Sequence, residues 1–372
     1  MITIKKVASR KDLNQFLQFS IELYKDNPYY IPCLLFDEKW NLDSKKNPAY
    51  DFVETVLFLA YKEGKIVGRI GGLINHKLNA MKNMHQARFH RFDVIDDIEV
   101  TKELVEAVSV WAKEKGMDTL IGPIGFSDLD KQGLLIEGFD QPGMFITLYN
   151  HPYYKDHLEQ LGFEKDIDWI EFKITVPEKV DERIERICDI AQNRHGYRLL
   201  SYKRKKDVIP YVRKMFRMYN DSFANLYGFC PLTDAQIEMA IKQFVSLVSL
   251  EYVLIVVDKQ DEVLGFGLMV PSLAQAVKAS KGKLFPLGWL RIMRALKTHT
   301  ILDMYIIAVK PEYLGRGVNA VIMNEGIKRA IANHVQFAET GPELEDNMNV
   351  QTQWKSFEHV QHKRRRCYKK SL

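Results

Sequence analysis

Two stretches of the chain repeat the same arrangement of hydrophobic and polar positions. Residues 54–73 and 251–270 each contain an apolar, β-rich run, a short polar turn and a second apolar run. This arrangement is typical of a β-hairpin. Without gaps, five positions of the two stretches are identical at an offset of 197 residues. The pattern therefore predicts the same hairpin twice.

A second repeat precedes each hairpin. Residues 11–26 and 206–221 share four identities at an offset of 195 residues. Both have apolar residues at the spacing of an amphipathic helix, and a short strand is predicted before each, at 3–7 and 197–202. Because the two matches keep the same order at nearly the same offset, the sequence predicts one fold present twice.

The remaining hydrophobic periodicity predicts the other elements of each half and the boundary between the two halves. Predicted elements of the first half are strands 88–94, 119–122 and 169–174 and helices 101–115 and 153–161. Those of the second half are strands 301–309, 335–338 and 360–368 and helices 317–332 and 347–357. We expect domains at 1–175 and 197–372, joined by a charged helical linker at 176–196. The fold class is α/β (α+β), with a mixed, mostly antiparallel sheet flanked by helices in each domain.

Composition and charge argue against several classes of function. The chain has 53 Lys and Arg and 48 Asp and Glu, but residues 363–372 contain six of the basic residues, which leaves a net charge of −1 on residues 1–362. Nucleic-acid-binding domains usually present a basic face, so we expect no nucleic-acid partner. No apolar run approaches the ~18 residues that span a bilayer. Without an apolar leader or paired cysteines, we expect a cytoplasmic protein.

The candidate chemistry is concentrated in residues 306–323. An apolar strand is followed there by Pro311, by Gly315-Arg316-Gly317 and by an amphipathic helix. Such a turn leaves backbone N–H groups without acceptors and adds the positive potential of a helix N-terminus. It can bind a phosphate or pyrophosphate. The equivalent turn of the first half, residues 95–100, has no glycine and three acidic residues, so we expect the anion site in the second half.

This segment resembles motif A of the GNAT acyltransferase superfamily, whose loop of pattern Gln/Arg-x-x-Gly-x-Gly/Ala holds the pyrophosphate of acyl-coenzyme A (acyl-CoA). Leu314, Gly317 and Asn319 occupy the three defined positions. The resemblance implies two tandem acyl-CoA N-acyltransferase-like domains, the first one degenerate. It also implies acetyl-CoA or another acyl-CoA as co-substrate, without a metal. The cofactor-binding residues it implies are Val309, Leu314, Gly315, Arg316, Gly317, Val318, Asn319 and Asn347.

The resemblance also assigns catalytic candidates. Trp354 stands where many family members have a tyrosine that protonates the leaving thiolate. In the family, a backbone N–H where two central strands part polarises the thioester carbonyl, and Val309 would carry it here. An amine acceptor must lose a proton, so a carboxylate or a water chain is expected as base. The candidate catalytic residues are Asp303, Tyr305, Glu343 and Glu345, with Tyr305 in the place of the missing acid.

The predicted reaction is transfer of an acyl group, in the first instance acetyl, from acyl-CoA to a small-molecule or peptide amine acceptor bound between the two domains. The long glycine-rich loop 122–143 offers Asp128, Asp130 and Lys131 as acceptor contacts, or is a solvated connection. Two alternatives remain open. One is a non-catalytic or CoA-binding protein of the same fold. The other is a fatty acyl or aminoacyl transferase with a lipid-like or anionic acceptor.

Two basic segments suggest further contacts. Residues 281–297 place Trp289, Ile292, Met293 and Leu296 on one helical face, which is typical of peripheral membrane contact, of a cleft cap or of packing between domains. Residues 363–370 fall where the family has its last strand. Their arginines would then meet the phosphates of CoA or of an anionic acceptor, and a solvated tail is the alternative.

Overall fold

A computed structural model describes residues 1–224, 226–244 and 248–372. The elements of the first half are β1 (Ile2–Lys6), α1 (Arg10–Leu23), α2 (Leu35–Asn41), β2 (Val53–Lys62), β3 (Lys65–Asn75), α3 (His76–Lys82), β4 (Gln86–Val94), α4 (Ile98–Glu114), β5 (Thr119–Gly122), β6 (Leu134–Glu137), α5 (Tyr153–Gln160) and β7 (Glu164–Thr175). A reciprocal hydrogen-bonded cap between Ser9 and Asp12 starts α1.

The second half begins with a helix that ends at Gly196, which has the left-handed backbone conformation typical of a helix C-terminus. Its elements are α6 (Glu182–His195), β8 (Arg198–Leu199), α7 (Lys205–Ser222), α8 (Asp234–Phe244), β9 (Val253–Val257), β10 (Val263–Pro271), α9 (Ala274–Ala279), α10 (Gly288–Ala295), β11 (Ile301–Val309), α11 (Val318–Ala332), β12 (Phe337–Thr340), β13 (Glu343–Leu344), α12 (Met348–Trp354) and β14 (His359–Ser371).

The strands form one sheet whose two sides mirror each other. Its order is β1-β2-β3-β4-β5-β14-β7-β12-β11-β10-β9-β8, with β6 added on β14 and β13 on β7. The first half therefore runs inward from one edge, and the second half runs inward from the other. The pairs β4–β5 and β11–β12 are parallel, whereas the predicted hairpins β2–β3 and β9–β10 are antiparallel. The structure confirms the predicted fold class and the repeat.

The two halves exchange their last strands at the centre of the sheet. β7 pairs with β12 of the second half, and β14 pairs with β5 of the first half. β7 and β14 also pair with each other, from Ile174 with His359 to Glu164 with Lys369. The basic segment 363–370 is a strand as expected, but its neighbours belong to the first half. The boundaries at 175 and 197 stay a prediction.

Helices cover both faces of the second half. Alternate residues of β9 face opposite sides of the sheet: Val253 and Ile255 belong to the apolar core with α7, α8 and α9, whereas Leu254 and Val256 pack with α6 and α11. In the first half, α4 and α5 pack on β2, β3 and β4. No helix in the described ranges is long and apolar enough to cross a bilayer.

Candidate active site

The parallel strands β11 and β12 part in the middle of the sheet. They pair from Ile301 with Phe337 to Met304 with Thr340. The last link is a hydrogen bond of 2.8 Å from the Gly341 N–H to the Met304 carbonyl. The register of β11 against β10 shifts at Tyr305, which marks a β-bulge. Beyond it, β11 pairs with β10 alone among the described strands, so residues 305–309 border an opening.

Two backbone N–H groups of β11 are directed into this opening. The Lys310 N–H donates to the Leu264 carbonyl at 2.9 Å, towards β10. Because N–H directions alternate along a strand, the N–H groups of Ile307 and Val309 point to the opposite, unpaired side. Donors fixed in this way can stabilise a developing oxyanion. The role that the resemblance implied for the Val309 N–H stays a prediction.

The loop after β11 presents further donors. Gly315 and Gly317 have φ of 72° and 85°, the left-handed conformation that favours glycine. Gly317 precedes α11, whose first backbone hydrogen bond runs from Val321 to Gly317 at 3.1 Å. The N–H groups of residues 318–320 therefore have no acceptor within the helix. Leu314, Gly315 and Arg316 are exposed, so the loop has the geometry of an anion site.

The side chains of this loop are mostly engaged within the protein. The Asn319 amide donates to Gln353 at 3.0 Å, and Val318 is buried against α6. The Arg316 guanidinium lies 5.6 Å from the centre of the Tyr313 ring. Backbone groups are therefore the main candidates for contacts with a phosphate.

Glu343 lies just beyond the point where β12 leaves β11. The indole Nε1 of Trp354 donates to both carboxylate oxygens of Glu343, at 2.9 and 3.1 Å. Burial raises the pKa of Glu343 to about 7, although hydrogen bonds from Trp354 and Thr340 oppose the shift. Trp354 thus holds a carboxyl group that can accept or donate a proton near neutral pH.

The other three catalytic candidates differ in whether they border the opening. Tyr305 borders the opening, and its buried hydroxyl has no hydrogen-bond partner in the described residues. Burial and the nearby Asp303 raise the pKa of Tyr305 well above its ordinary value, so it keeps its proton. Asp303 accepts from Ser272 at 3.2 Å and lies outside the cavity lining. Glu345 forms ion pairs with Lys165 and Arg364, also outside the lining.

A cavity of about 620 Å³ passes through the opening. Residues 304–309 of β11 form one wall, and residues 340–344 with Asn347 and Trp354 form another. Because α7 and α11 lie on opposite faces and both line the cavity, it connects the two faces of the sheet. Pro311 and Leu314 place the anion loop at its border. The lining is mainly apolar, and the two helices contribute these apolar side chains to it: Val208, Val212, Met215, Phe216, Ile322, Met323 and Ile327.

Four side chains of this apolar lining have a buried polar atom that forms no hydrogen bond with the part of the chain that the structure describes. They are Asp128, Gln132, Ser222 and Tyr305. Tyr219 donates its hydroxyl to the other carboxylate oxygen of Asp128, and burial raises the pKa of Asp128 to about 6. Asp128 and Asp130 of the glycine-rich loop therefore border the cavity, whereas Lys131 lies outside its lining and donates to the Thr147 carbonyl at 3.2 Å. Their contact with an acceptor stays a prediction. Gln132 and Ser222 were not predicted; the position of Gln132 in that loop was the available signal.

The equivalent opening of the first half is filled. β4 and β5 pair only from Gln86 to Arg88. At the end of β4, the Val94 N–H donates to the Tyr154 hydroxyl at 2.7 Å, and the Tyr153 hydroxyl donates to the Val94 carbonyl at 2.7 Å. Asp97 caps α4 with its own carboxylate. The structure thus gives the first half neither a free N–H at this position nor an open helix N-terminus.

The arginines of β14 point to carboxylates instead of to a phosphate site. Arg365 and Glu171 are fully buried and form an ion pair. Arg364 and Arg366 both donate to Asp168, at 3.1 and 2.8 Å. The expectation that this segment meets phosphates of CoA or of an anionic acceptor is therefore wrong for these side chains, because acidic residues of β7 already neutralise them. In the described ranges, no cluster of His, Cys, Asp or Glu could hold a metal ion.

Comparisons with known proteins agree with this architecture. No protein-family model matches the sequence. The chain is 26% identical over 376 residues to protein YghO of Escherichia coli K12, covering 99% of this chain and 95% of that protein. It is 28% identical over 302 residues to a bacterial ceramide synthase of Caulobacter vibrioides NA1000, covering 80% and 77%. A tandem GNAT protein from the clavulanic acid biosynthesis pathway aligns over 100% of this chain and 98% of its own, with a TM-score of 0.55 at 13% identity. The chain therefore has the tandem fold of the GNAT acetyltransferases.

Proposed function

We propose that this protein is an acyltransferase that transfers the acyl group of acyl-CoA to an amine. The observation that carries the proposal is the junction of three features in the second half: the donor-rich loop before α11, the unpaired edge of β11 and the cavity between them. The loop would bind the pyrophosphate, and the cavity would receive the acyl group and the acceptor. Acyl-CoA enters here as a substrate.

The chain's own groups can supply the chemistry. The N–H groups of Ile307 and Val309 would stabilise negative charge on the thioester oxygen while the C–N bond forms. Glu343 would accept the amine proton as the C–S bond breaks, and the thiolate of CoA would leave. Tyr305, which keeps its proton, would donate a hydrogen bond to the departing sulfur. Asp303 and Glu345 would contribute through their internal contacts, away from the reacting atoms.

The walls of the cavity favour a long acyl chain over acetyl. Its volume lies within the roughly 300–1,000 Å³ of ligand pockets, and its lining is mainly aliphatic and aromatic. An acetyl group would leave most of this surface without contacts. The relative called a bacterial ceramide synthase also supports a long acyl chain, because a ceramide is the amide of a fatty acid and a long-chain amine. We therefore propose a fatty acyl donor and a lipid-like amine acceptor.

Turnover as a function of acyl length tests this proposal. Each methylene buried in an apolar site contributes about 0.8 kcal/mol, so burial of only three or four of the additional methylenes of palmitoyl-CoA should raise kcat/KM over that with acetyl-CoA by roughly 100-fold. Thiol release is measured with a long-chain amine as acceptor. Equal rates with both donors would exclude the long-chain assignment. Binding of both donors without thiol release would favour the non-catalytic alternative.

A charged side chain introduced at position 315 tests where the pyrophosphate binds. A Cβ at Gly315 meets no atom within 4 Å, whereas one at Gly317 would lie 2.9 Å from the Cβ of Ala191. Asp and Asn both tolerate the left-handed conformation and differ here mainly in charge. Gly315→Asp should weaken binding of CoA roughly 10- to 100-fold through like-charge repulsion, while Gly315→Asn should change it by less than about threefold.

Isothermal titration calorimetry with CoA alone measures both variants. Thermal melting of the unliganded proteins checks that the two substitutions leave folding equally intact. If Gly315→Asp binds CoA as tightly as Gly315→Asn, the pyrophosphate lies elsewhere.

A further inference from the structure

The connection between β10 and β11 is strongly cationic. Residues 272–302 contain no Asp or Glu and six basic residues: Lys278, Lys281, Lys283, Arg291, Arg294 and Lys297. None of these six side chains forms an ion pair with any residue that the structure describes. Within the chain, Lys281 acts only at a distance on Glu22, whose pKa it helps to lower, and Lys278 and Arg291 donate to the carbonyls of Pro28 and Ala279. The positive charge of the segment is therefore balanced mainly by solvent ions or by a partner outside the chain.

The same segment exposes large apolar side chains. We call Phe285, Leu287, Trp289, Leu290 and Met293 the apolar patch. Phe285 is 77% exposed, and each of the other four is at least 46% exposed. Ile292 and Leu296, by contrast, are buried in the core beneath α10. These two anchors fix the helix against the protein and leave the patch on its outer side.

The patch and the cations adjoin each other around α10. At 3.6 residues per turn, Trp289, Met293 and Leu290 lie within an arc of about 100°. Arg294 and Arg291 continue this arc on the side away from the buried anchors. An outward apolar strip with a cationic border is the pattern of a helix that lies in the interface of a bilayer, with its cations at the level of the lipid headgroups.

We propose that the apolar patch and its cationic border dock this protein on the surface of a bilayer that contains anionic lipids. Charge complementarity selects this partner: the cations match lipid phosphates, and the apolar side chains match the acyl boundary. Docking on a second copy of the chain would place this cationic border against the same border of the other copy in a two-fold interface, which repels. The proposal does not depend on the acyltransferase activity.

Vesicle co-sedimentation of the full chain tests the proposal. The protein should pellet with vesicles of phosphatidylglycerol and phosphatidylcholine in equal parts, and much less with pure phosphatidylcholine. Trp289 is the one exposed tryptophan of the five, so its fluorescence should shift to shorter wavelength when the anionic vesicles are added.

Matched variants separate the apolar contribution to vesicle binding from the cationic contribution. Trp289→Ser/Leu290→Ser should lower the partition coefficient at least tenfold, roughly, whereas Met81→Ser/Val110→Ser, which alters two other exposed apolar residues, should leave it unchanged. Arg294→Gln/Lys297→Gln should weaken binding more than Lys45→Gln/Lys355→Gln, which removes the same charge elsewhere. Thermal melting checks the fold of each variant.

Two results would overturn the proposal. One is the absence of pelleting with anionic vesicles. The other is equal pelleting of patch and control variants. A concentration-dependent dimer that dissociates in Trp289→Ser/Leu290→Ser without vesicle binding would assign the patch to self-association instead.

Discussion

Glu343→Gln should lower kcat by about 10²- to 10⁴-fold, the contribution of a positioned general base. The amide keeps an oxygen that can accept the Trp354 N–H, so the local contacts persist while the proton acceptor is lost. Burial raises the pKa of Glu343 to about 7, and the base must be ionised to act. The wild-type kcat should therefore rise as the pH increases through about 7 and level off above it, and this limb should be absent in the variant.

A second variant tests the same group without removing it. The Trp354 N–H stabilises the ionised carboxylate, so Trp354→Phe should raise the pKa of Glu343 and move the limb of the kcat profile to higher pH. A purely structural role of the tryptophan would lower kcat without moving the limb. If Glu343→Gln keeps more than half of the wild-type kcat and the same pH profile, another group removes the proton.

Glu171→Ala should destabilise the protein by about 3–5 kcal/mol, the cost of leaving buried charges unpaired. Glu171 and Arg365 are both 0% exposed and pair across β7 and β14. Burial alone would raise the pKa of Glu171, but the buried Arg365 and Lys363 hold it below its ordinary value. Without this carboxylate, Arg365 loses its ionic partner at the centre of the sheet.

Denaturation by urea, followed by circular dichroism, measures this effect as a lower midpoint. The matched control is Glu238→Ala, which removes one partner of the half-exposed Arg213–Glu238 pair between α7 and α8. Such surface pairs contribute about 0–1 kcal/mol, so its midpoint should stay near that of the wild type. Equal midpoints for the two variants would show that the buried pair makes no special contribution.

Local patterns in the sequence predicted the repeat but not the strand exchange. The hairpins at 54–73 and 251–270 became β2–β3 and β9–β10 because alternation of apolar residues is a local property of each strand. The partners of β7 and β14 depend on contacts between residues nearly 200 positions apart. The alternation of residues along β7 or β14 would be the same whichever half the strand joined. The pattern alone therefore leaves the exchange undetermined.

The candidate site was predictable to a similar extent. The glycine loop before α11 could be recognised because strand, turn and helix are contiguous in the chain. The pairing of Trp354 with Glu343 could not, since it depends on how β13 and α12 pack. In the first half, Asp97 and the missing glycine indicated a lost anion site, but the tyrosines that fill the opening come from α5 and carry no local signal.

The position of β14 has a consequence for biosynthesis. Residues 359–371 lie between β5 and β7, more than 180 residues downstream of either strand in the order of translation. Until the ribosome has released them, two strands at the middle of the nascent sheet expose unpaired edges, which are templates for aggregation. The first half therefore cannot complete its sheet as it emerges. A message cut short before the codons of β14 would yield a chain with an unfilled gap between β5 and β7, a natural target for chaperones and proteases.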